Sequence, residues 1–446
     1  MSVILGHFVL GFTVALTPVN LLYCLVGAVL GTLIGVLPGI GPVATIAMLL
    51  PITFTLTPLS ALIMLAGIYY GAQYGGSTTS ILVNIPGESS SVVTCIDGYQ
   101  MARQGRAGPA LGIAALGSFF AGCVSTAVVF LFAPPLAEFA LKFGPAEYFS
   151  LMVLGLVASA VLAHRSLLKA IAMIFLGLLL GLVGTDVNSG VARFTFGLPA
   201  LSDGIGFVVV AMGLFGFAEI ITNLEDRGTR EIFTSTVRDL WPTRADLRDS
   251  WKAVLRGTGL GSALGILPGG GALLASFASY ALEKRVARDP SRFGKGAIEG
   301  VAGPESANNA GAQTSFIPLL TLGIPSNAVM ALMLGAMIIQ GIAPGPQVMT
   351  ARPELFWGLI ASMWVGNLML VILNLPLIGM WIKLLSVPYR LLYPAILLFG
   401  AIGVYSLSQS PTDVALTAGF LRSAALGPGR PAVNSLTNRS TAVNRA

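Results

Sequence analysis

The sequence predicts an all-α polytopic membrane protein made of two inverted-topology repeats with re-entrant or interrupted helices. Of its 446 residues, 55% are hydrophobic and only 10% are charged, and the mean hydropathy is +0.83. Soluble domains are nearer one quarter charged, so most of this chain must lie in lipid. Lipid admits only helices and closed barrels, and the long apolar runs lack the alternation of barrel strands. Helices are therefore expected throughout.

A stretch rich in glycine and proline occurs twice, and it underlies the expected duplication. The segment at 31–41 (GTLIGVLPGIG) returns at 261–271 (GSALGILPGGG). A second pair of motifs follows the first. Gly-Ala-Gln at 71–73 precedes Asn-Ile-Pro-Gly at 84–87, and Gly-Ala-Gln at 311–313 precedes Gly-Ile-Pro-Ser at 323–326. Two apolar halves broken by Pro and Gly at matching positions are typical of transporters with interrupted helices.

The first transmembrane repeat is predicted over residues 1–223. Residues 2–17 stop at Pro18 and predict either a short interfacial helix or a first half-span. Helices are predicted on both sides of the first break, at 19–37 and 42–56. A helix with a polar cluster follows at 59–83, and a polar loop follows at 88–106. The remaining predicted spans are 110–133, 148–163, 167–184 and 205–223.

Basic residues predict which loops are cytoplasmic. They gather at 103–106, 164–169 and 283–297, and in the hydrophilic linker at 224–256 between the repeats. The loops at 134–147 and 185–204 hold few, so the positive-inside rule places the basic loops in the cytoplasm. This placement accounts for the net charge of +6 without a nucleic-acid partner.

The second repeat is predicted over residues 257–420, and its first segment cannot cross the membrane once. Residues 257–282 lie between two cytoplasmic loops. The two halves of this segment, about ten residues each, meet at 267–271, and roughly 15 Å of helix per half reaches the bilayer midplane. A re-entrant hairpin is expected, with its first-repeat copy entering from the opposite face. Further spans are expected at 306–321, 327–343, 354–378 and 391–408. The end of the chain, at 421–446, has no apolar run and is expected to be a disordered tail.

The tips of the two predicted breaks are the first candidate binding groups. Backbone N–H groups freed there are costly in lipid unless protein, water or a solute satisfies them. Half-helix N-termini also carry partial positive charge, which suits a carboxylate. A kinked helix packed through glycines is the structural alternative. The residues expected to shape these tips and to bind substrate are Pro38, Gly39, Gly41, Pro268, Gly269 and Gly271.

Polar side chains beside the breaks form the second candidate group. Many hydroxyl and amide groups at membrane depth imply a polar cavity for a carboxylate, unless the hydroxyls bond back to their own helix. The predicted substrate contacts are Ser77, Thr78, Thr79, Asn84, Asn308, Asn309, Ser326 and Asn327. The candidates for binding a coupling ion, Na⁺ or H⁺, are Glu88, Glu305 and Gln313. Asp97 is either a further coupling acid or the ion-pair partner of Arg103.

Enzyme signatures are absent from the sequence. It contains no phosphate-binding Gly-x4-Gly-Lys-Ser/Thr, no His-Glu-x-x-His and no Gly-x-Ser-x-Gly motif. The cysteines Cys24, Cys95 and Cys123 lack metal-ligand spacing. We therefore expect no enzyme, no metal and no cofactor other than the coupling ion.

The longest motifs resemble the large membrane subunit of tripartite tricarboxylate transporters, the TctA family. The matching stretches lie within roughly residues 10–415 and are found at 15–22, 31–42, 70–88, 97–102 and 303–325. The chain departs from the family after Tyr405, where members continue with hydrophobic helices and this chain has an Arg-bearing tail.

The resemblance implies a multi-pass permease of the bacterial inner membrane. It would work with a small membrane subunit and a periplasmic solute-binding protein, importing citrate or another small carboxylate with a Na⁺ or H⁺ gradient. A passive anion channel and a non-transporting scaffold subunit are the alternatives. The channel predicts flux without a gradient, and the scaffold leaves the intramembrane polar residues without a purpose.

Overall fold

The computed structural model describes residues 2–37, 41–142, 167–186, 189–206, 240–267, 271–385 and 410–425, with short pieces between 144 and 157, at 209–213 and between 397 and 405. The chain divides into two compact units. The first comprises Met1–Pro42, Thr53–Ile171 and Arg230–Val387, and the second comprises Val43–Ile52, Ala172–Thr229 and Pro388–Ala446.

Helices dominate the described residues. Those of the first half are α1 (Ser2–Ala15), α2 (Pro18–Val36), α3 (Gly41–Thr53), α4 (Pro58–Val83), α5 (Thr94–Arg103), α6 (Ala107–Ala140) and α7 (Leu167–Gly181). Those of the second half are α8 (Arg244–Gly265), α9 (Gly271–Val286), α10 (Glu299–Thr314), α11 (Phe316–Leu322), α12 (Ala328–Ile339), α13 (Gln347–Ala351), α14 (Pro353–Asn374), α15 (Ile378–Leu385) and α16 (Pro411–Ala425). Short 3₁₀ helices lie at Ser89–Val92, Pro199–Leu201 and Pro290–Arg292.

The expected all-α membrane architecture is confirmed. Among the described residues, α2, α6 and α14 are long and apolar enough to cross a membrane. In the second unit, the short strands β1 (Gly184–Thr185) and β2 (Ala192–Arg193) pair antiparallel. They lie at the end of the span predicted at 167–184 and in the loop predicted at 185–204. The inverted orientation of the repeats and the re-entrant path of the hairpins stay predictions.

The structure corrects several element boundaries. The polar loop expected at 88–106 contains a 3₁₀ helix and α5, which the sequence pattern missed because this segment lacks a long apolar run. Helix α6 continues to Ala140 through Pro134 and Pro135, into the loop expected at 134–147. Helix α8 begins at Arg244 inside the linker expected at 224–256, where Thr243 and Asp246 form a capping box.

Part of the segment expected to be a disordered tail is helical. Helix α16 runs to Ala425 and so includes the first five residues of the segment at 421–446; Gly427 and Pro428 follow it in the sequence. Residues 426–446 lie outside the described residues, as do most residues of the spans predicted at 148–163, 205–223 and 391–408.

Two helix pairs in the first unit are built in the same way. Helix α2 packs against α4, and α8 packs against α10, each through glycines spaced four residues apart. A side chain at these positions would run into the backbone of the neighbouring helix, so only glycine permits such close packing. The pairs that face each other are Gly27–Met64, Gly31–Ile68 and Gly35–Ala72, then Gly257–Gly303, Gly261–Ala307 and Gly265–Gly311.

The matched breaks also share their backbone conformation. Helix α4 ends at Asn84 and α11 ends at Gly323, both in the left-handed region with φ of 56° and 69°. Gly41 and Gly271 begin the helices after the two breaks, with φ of 62° and 56°. The duplication seen in the sequence is thus repeated in the packing and in the turns, where the left-handed region favours glycine or asparagine.

The close packing of α8 against α10 gives a prediction for stability. A Cβ atom added at Gly261 would lie 2.7 Å from Ala307 Cα, so Gly261→Ala forces the two helices apart. We expect a loss of about 1–3 kcal/mol, the usual cost of overpacking, measured as a lower thermal unfolding midpoint of the purified protein.

Gly259 provides the matched control on the same helix. No atom lies within 4 Å of a Cβ added there, so Gly259→Ala is expected to keep or raise the midpoint through helix propensity. Equal midpoints for the two variants would contradict the close-packing argument.

Candidate functional site

Glu305 is fully buried on α10, and its carboxyl group accepts hydrogen bonds from three neutral side chains. The Ser77 hydroxyl on α4 lies 2.5 Å from Oε2, and Asn308 Nδ2 lies 3.3 Å from the same oxygen. The Thr94 hydroxyl on α5 donates to Oε1. Within the described part of the chain, every ion pair involves another acid. Neutral donors alone therefore surround this carboxyl group.

Asn309 extends this cluster along α10. Its Nδ2 lies 2.8 Å from Ser118 Oγ on α6, 3.1 Å from the Glu305 carbonyl and 2.6 Å from Asn308 Oδ1. Its Oδ1 is buried and has no donor among the described residues. Gln313 lies one turn further on the same helix face, and neither of its amide atoms has a partner there. Each unpaired buried polar group costs about 1–3 kcal/mol.

Glu88 lies in a second cluster, at the N-terminus of the 3₁₀ helix Ser89–Val92. Its Oε2 accepts the Ser90 N–H at 2.8 Å, and its Oε1 accepts the Ser90 hydroxyl. The same hydroxyl lies 2.6 Å from Gln73 Oε1 on α4. The Ser276 hydroxyl on α9 donates to the Ser90 carbonyl at 2.7 Å, so helices from both predicted repeats hold this segment.

Asn327 holds the corresponding place in the second half, two residues after the matched proline. Its Oδ1 accepts the Met330 N–H at 3.0 Å and so caps α12, while Nδ2 lies 3.1 Å from Ser315 Oγ and 3.3 Å from the Tyr69 hydroxyl. A Cβ added at Gly271 would lie 2.9 Å from Asn327 Nδ2. The N-termini of α9 and α12 are therefore adjacent.

Hydroxyl groups lie beside the carbonyls where the helices before the two breaks end. Thr79 Oγ1 donates to the Val36 carbonyl at 2.8 Å, near the end of α2. Ser315 Oγ lies 3.4 Å from the Gly265 carbonyl at the end of α8, but its nearer acceptor is the Gly311 carbonyl at 2.6 Å. The four last carbonyls of a helix lack intrahelical partners, so the Thr79 bond stabilises the first break.

Other predicted site residues have different placements. Thr78 Oγ1 lies 3.5 Å from the Tyr74 carbonyl of its own helix, as the structural alternative expected. The Asn84 side chain is exposed, and this residue ends α4 through its backbone. Ser326 is buried, and its hydroxyl has no partner among the described residues. Pro38, Gly39, Pro268 and Gly269 lie outside the described residues.

A small cavity lies at the Glu305 cluster. Its volume is about 10 Å³, beside Ser77, Thr78 and Ser118, which is room for about one water molecule. A cavity of about 770 Å³ is lined mainly by apolar side chains of α6 and α8 and carries no charged group. A third cavity, of about 330 Å³, has a polar lining that includes Arg292 and Lys295 but none of the predicted site residues.

Sequence reasoning missed Thr94, Ser118 and Tyr69, which complete the clusters from α5, α6 and α4. Thr94 belongs to the segment interpreted as a loop, and Ser118 is a single hydroxyl in an apolar span. Neither position carries a local signal, because each becomes part of the site only through a contact with α10.

Asp97 connects the two halves and does not pair with Arg103. Its Oδ1 accepts the N–H groups of Gly294, Gly296 and Ala297, each at 2.8 Å, and its Oδ2 accepts the Tyr280 hydroxyl at 2.9 Å. This buried aspartate on α5 thus fixes the loop that leads into α10, and α10 carries Glu305.

Comparisons with known proteins agree with the motifs. The model of the family described as Tripartite tricarboxylate transporter TctA family matches residues 21–426. The chain is 64% identical over 414 residues to an uncharacterized 52.8 kDa protein in the TAR-I ttuC' 3' region of Agrobacterium vitis, covering 93% of this chain and 82% of that protein. It is 69% identical over 154 residues to an uncharacterized protein in the TAR-II ttuC' 3' region of the same organism, covering 34% of this chain and 64% of that protein. No solved structure matches.

The Asp97 contacts predict a large stability effect. Asp97→Ala leaves three backbone N–H groups without their acceptor, of which that of Ala297 is buried. We expect a loss of at least about 2 kcal/mol, seen as a lower thermal unfolding midpoint.

Asp289→Ala is the control. It removes exposed bonds to Ser291 that water can replace, so its midpoint should change far less. An unchanged midpoint for Asp97→Ala would show that this residue does not hold the loop.

Proposed function

Because the chain belongs to the tripartite tricarboxylate transporter TctA family, we propose that it is the permease subunit of a secondary active transporter for small carboxylates. A tricarboxylate such as citrate is the proposed solute, delivered by a periplasmic solute-binding protein. A small membrane subunit accompanies the chain in the bacterial inner membrane, and a Na⁺ or H⁺ gradient drives uptake.

The unpartnered polar atoms at the predicted site carry this proposal. Asn309 Oδ1, both amide atoms of Gln313 and the Ser326 hydroxyl are buried and lack partners among the described residues. Groups of this kind are costly unless a ligand or water uses them. Gln313 Nε2 and the Ser326 hydroxyl can donate to carboxylate oxygens, whereas Asn309 Oδ1 and Gln313 Oε1 can accept from a solute hydroxyl.

The electrostatics of the second break favour an anion. The N-termini of α9 and α12 lie side by side at Gly271 and Asn327. Each helix N-terminus presents free N–H groups and partial positive charge, and two together form a suitable seat for a carboxylate group. No buried cation is needed to bind the carboxylate group. The solute can therefore be released without breaking a strong ion pair.

Transport requires this interior to open. A cavity of about 10 Å³ cannot hold citrate, since small-molecule sites occupy several hundred Å³. In the proposed cycle, one hairpin pair moves relative to the other and exposes the site to each side of the membrane in turn.

Asn309→Ala tests the site. We expect uptake per folded molecule to be abolished, because the substitution removes the unpaired Oδ1 that would accept from the solute. Since the bonds of Nδ2 to Ser118 and Asn308 are lost as well, uptake is normalised to membrane abundance. Asn20→Ala is the matched control, since Asn20 already bonds the Val14 carbonyl and the Ser60 hydroxyl. Its substitution should affect stability and spare the rate of uptake per folded molecule. Normal uptake by Asn309→Ala would remove that residue from the site.

The activity itself is tested by uptake of labelled citrate into proteoliposomes. These would hold the chain, the small membrane subunit and the binding protein, with and without inward ion gradients. Accumulation that depends on a gradient is expected. Equilibration without accumulation would identify a channel. If neither citrate nor another carboxylate entered the vesicles, the non-transporting scaffold subunit would be the remaining alternative.

A further inference from the structure

We propose that the coupling ion is a proton and that Glu305 carries it. This inference rests on the proposed function, because it identifies the ion whose gradient drives uptake. The observations that support it are the burial of the carboxyl group, the nature of its hydrogen-bond partners and the two acceptors available to the Ser77 hydroxyl.

The charge of a Glu305 carboxylate would have no counterion. The side chain is fully buried, and its three donors are a serine, a threonine and an asparagine. An isolated buried carboxylate is so costly that such groups take up a proton instead. A proton thus supplies the neutralisation that Arg supplies to the buried acids Asp246 and Glu283.

The buried acids on the elements packed against α10 have partners other than Glu305, and basic residues such as Lys252 and Lys284 are exposed. Arg256 on α8 forms a bidentate pair with Glu283 on α9, and Asp97 on α5 binds backbone N–H groups. Glu88 belongs to the Ser90 cluster. The remaining titratable neighbours, Tyr74 on α4, Cys95 on α5 and Cys123 on α6, are neutral groups at physiological pH.

The site can accommodate Glu305 with and without a proton. In the carboxylate state, the Ser77 hydroxyl donates to Oε2 at 2.5 Å, and the Gln73 carbonyl keeps its intrahelical bond. In the acid state, the proton on Oε2 is donated to Ser77 Oγ, and the Ser77 hydroxyl turns to the Gln73 carbonyl at 2.9 Å. Thr94 continues to donate to Oε1 in both states. Proton uptake and release therefore leave no polar group unpaired.

The orientation of Asn308 argues against Na⁺ at this carboxyl group. A hard cation requires oxygen ligands, yet Asn308 presents Nδ2 to Glu305 Oε2. Its Oδ1 is held at 2.6 Å by Asn309 Nδ2, which fixes the amide in this orientation. A cation beside Oε2 would face N–H hydrogens.

Glu88 does not provide the same argument. The Ser90 hydroxyl is shared between Glu88 and the Gln73 side chain. A rotated Gln73 amide could donate to that hydroxyl and satisfy both groups without a proton. The proposal therefore concerns Glu305, and Glu88 serves as a comparison.

Infrared spectroscopy of the purified full chain tests the proton directly. A protonated carboxyl group has a C=O stretching band that a carboxylate lacks. We expect this band at neutral pH in Na⁺-free buffer, its loss in Glu305→Gln and its persistence in Glu88→Gln. Glu299→Gln is the control on the same helix, because the pair that Glu299 forms with Arg292 is partly exposed.

Three infrared outcomes would overturn the proposal. They are the absence of the band in the wild-type protein at neutral and mildly acidic pH, its persistence in Glu305→Gln, and its disappearance when NaCl replaces choline chloride. If Glu305→Gln does not fold, the wild-type chain is labelled with ¹³C-glutamate instead. A shift of the C=O stretching band on labelling assigns that band to a glutamate. The titration of that band and its response to Na⁺ then decide the question.

Citrate uptake into proteoliposomes separates this inference from the proposed function. We expect an inward pH gradient without Na⁺ to drive accumulation, with acidification reported by a dye inside the vesicles. Accumulation driven by Na⁺ alone, without acidification, would overturn the proton and leave the transporter. If neither an inward pH gradient nor an inward Na⁺ gradient produced accumulation, the transporter would be overturned, and the infrared band would still report whether Glu305 holds a proton.

Discussion

The close approach of helix backbones through glycine is the constraint on which the first unit depends. At Gly31 and Gly261, the neighbouring helix lies so near that any side chain would enter its backbone. Such packing brings α2 onto α4 and α8 onto α10 in the same arrangement. In each pair, the broken end of one helix lies beside a hydroxyl group. Thr79 on α4 lies beside the end of α2, and Ser315, just after α10, lies beside the end of α8.

The polar interior follows from this arrangement. Because Thr79 satisfies a carbonyl at the first break, that helix end can persist inside an apolar protein. The remaining polar groups are then free to form the cluster around Glu305 and Asn309, where neutral donors outnumber charges. In the proposed function, such a site would bind an anion and a proton with modest affinity, which permits both loading and release.

Much of this could be predicted from the sequence, and the reasons are local. Hydropathy identified most helices, and the repeated Pro-Gly motifs located the breaks, because the preference of Gly41 and Gly271 for positive φ is a property of the residue itself. Asn308, Asn309 and Glu305 were recognisable as costly residues in an apolar span. Thr94 and Asp97 were not, since their roles depend on partners far away in the chain. The inverted orientation, which no local pattern or contact here decides, stays a prediction.

The contacts of Asp97 have a consequence for the biosynthesis of the protein. Its last backbone partner, Ala297, follows it by 200 residues, and Thr94 meets Glu305 only later still. When the first half leaves the ribosome and enters the membrane, these two polar side chains on α5 have no partners. The nascent first half must therefore wait, incompletely packed, until the second half has been translated.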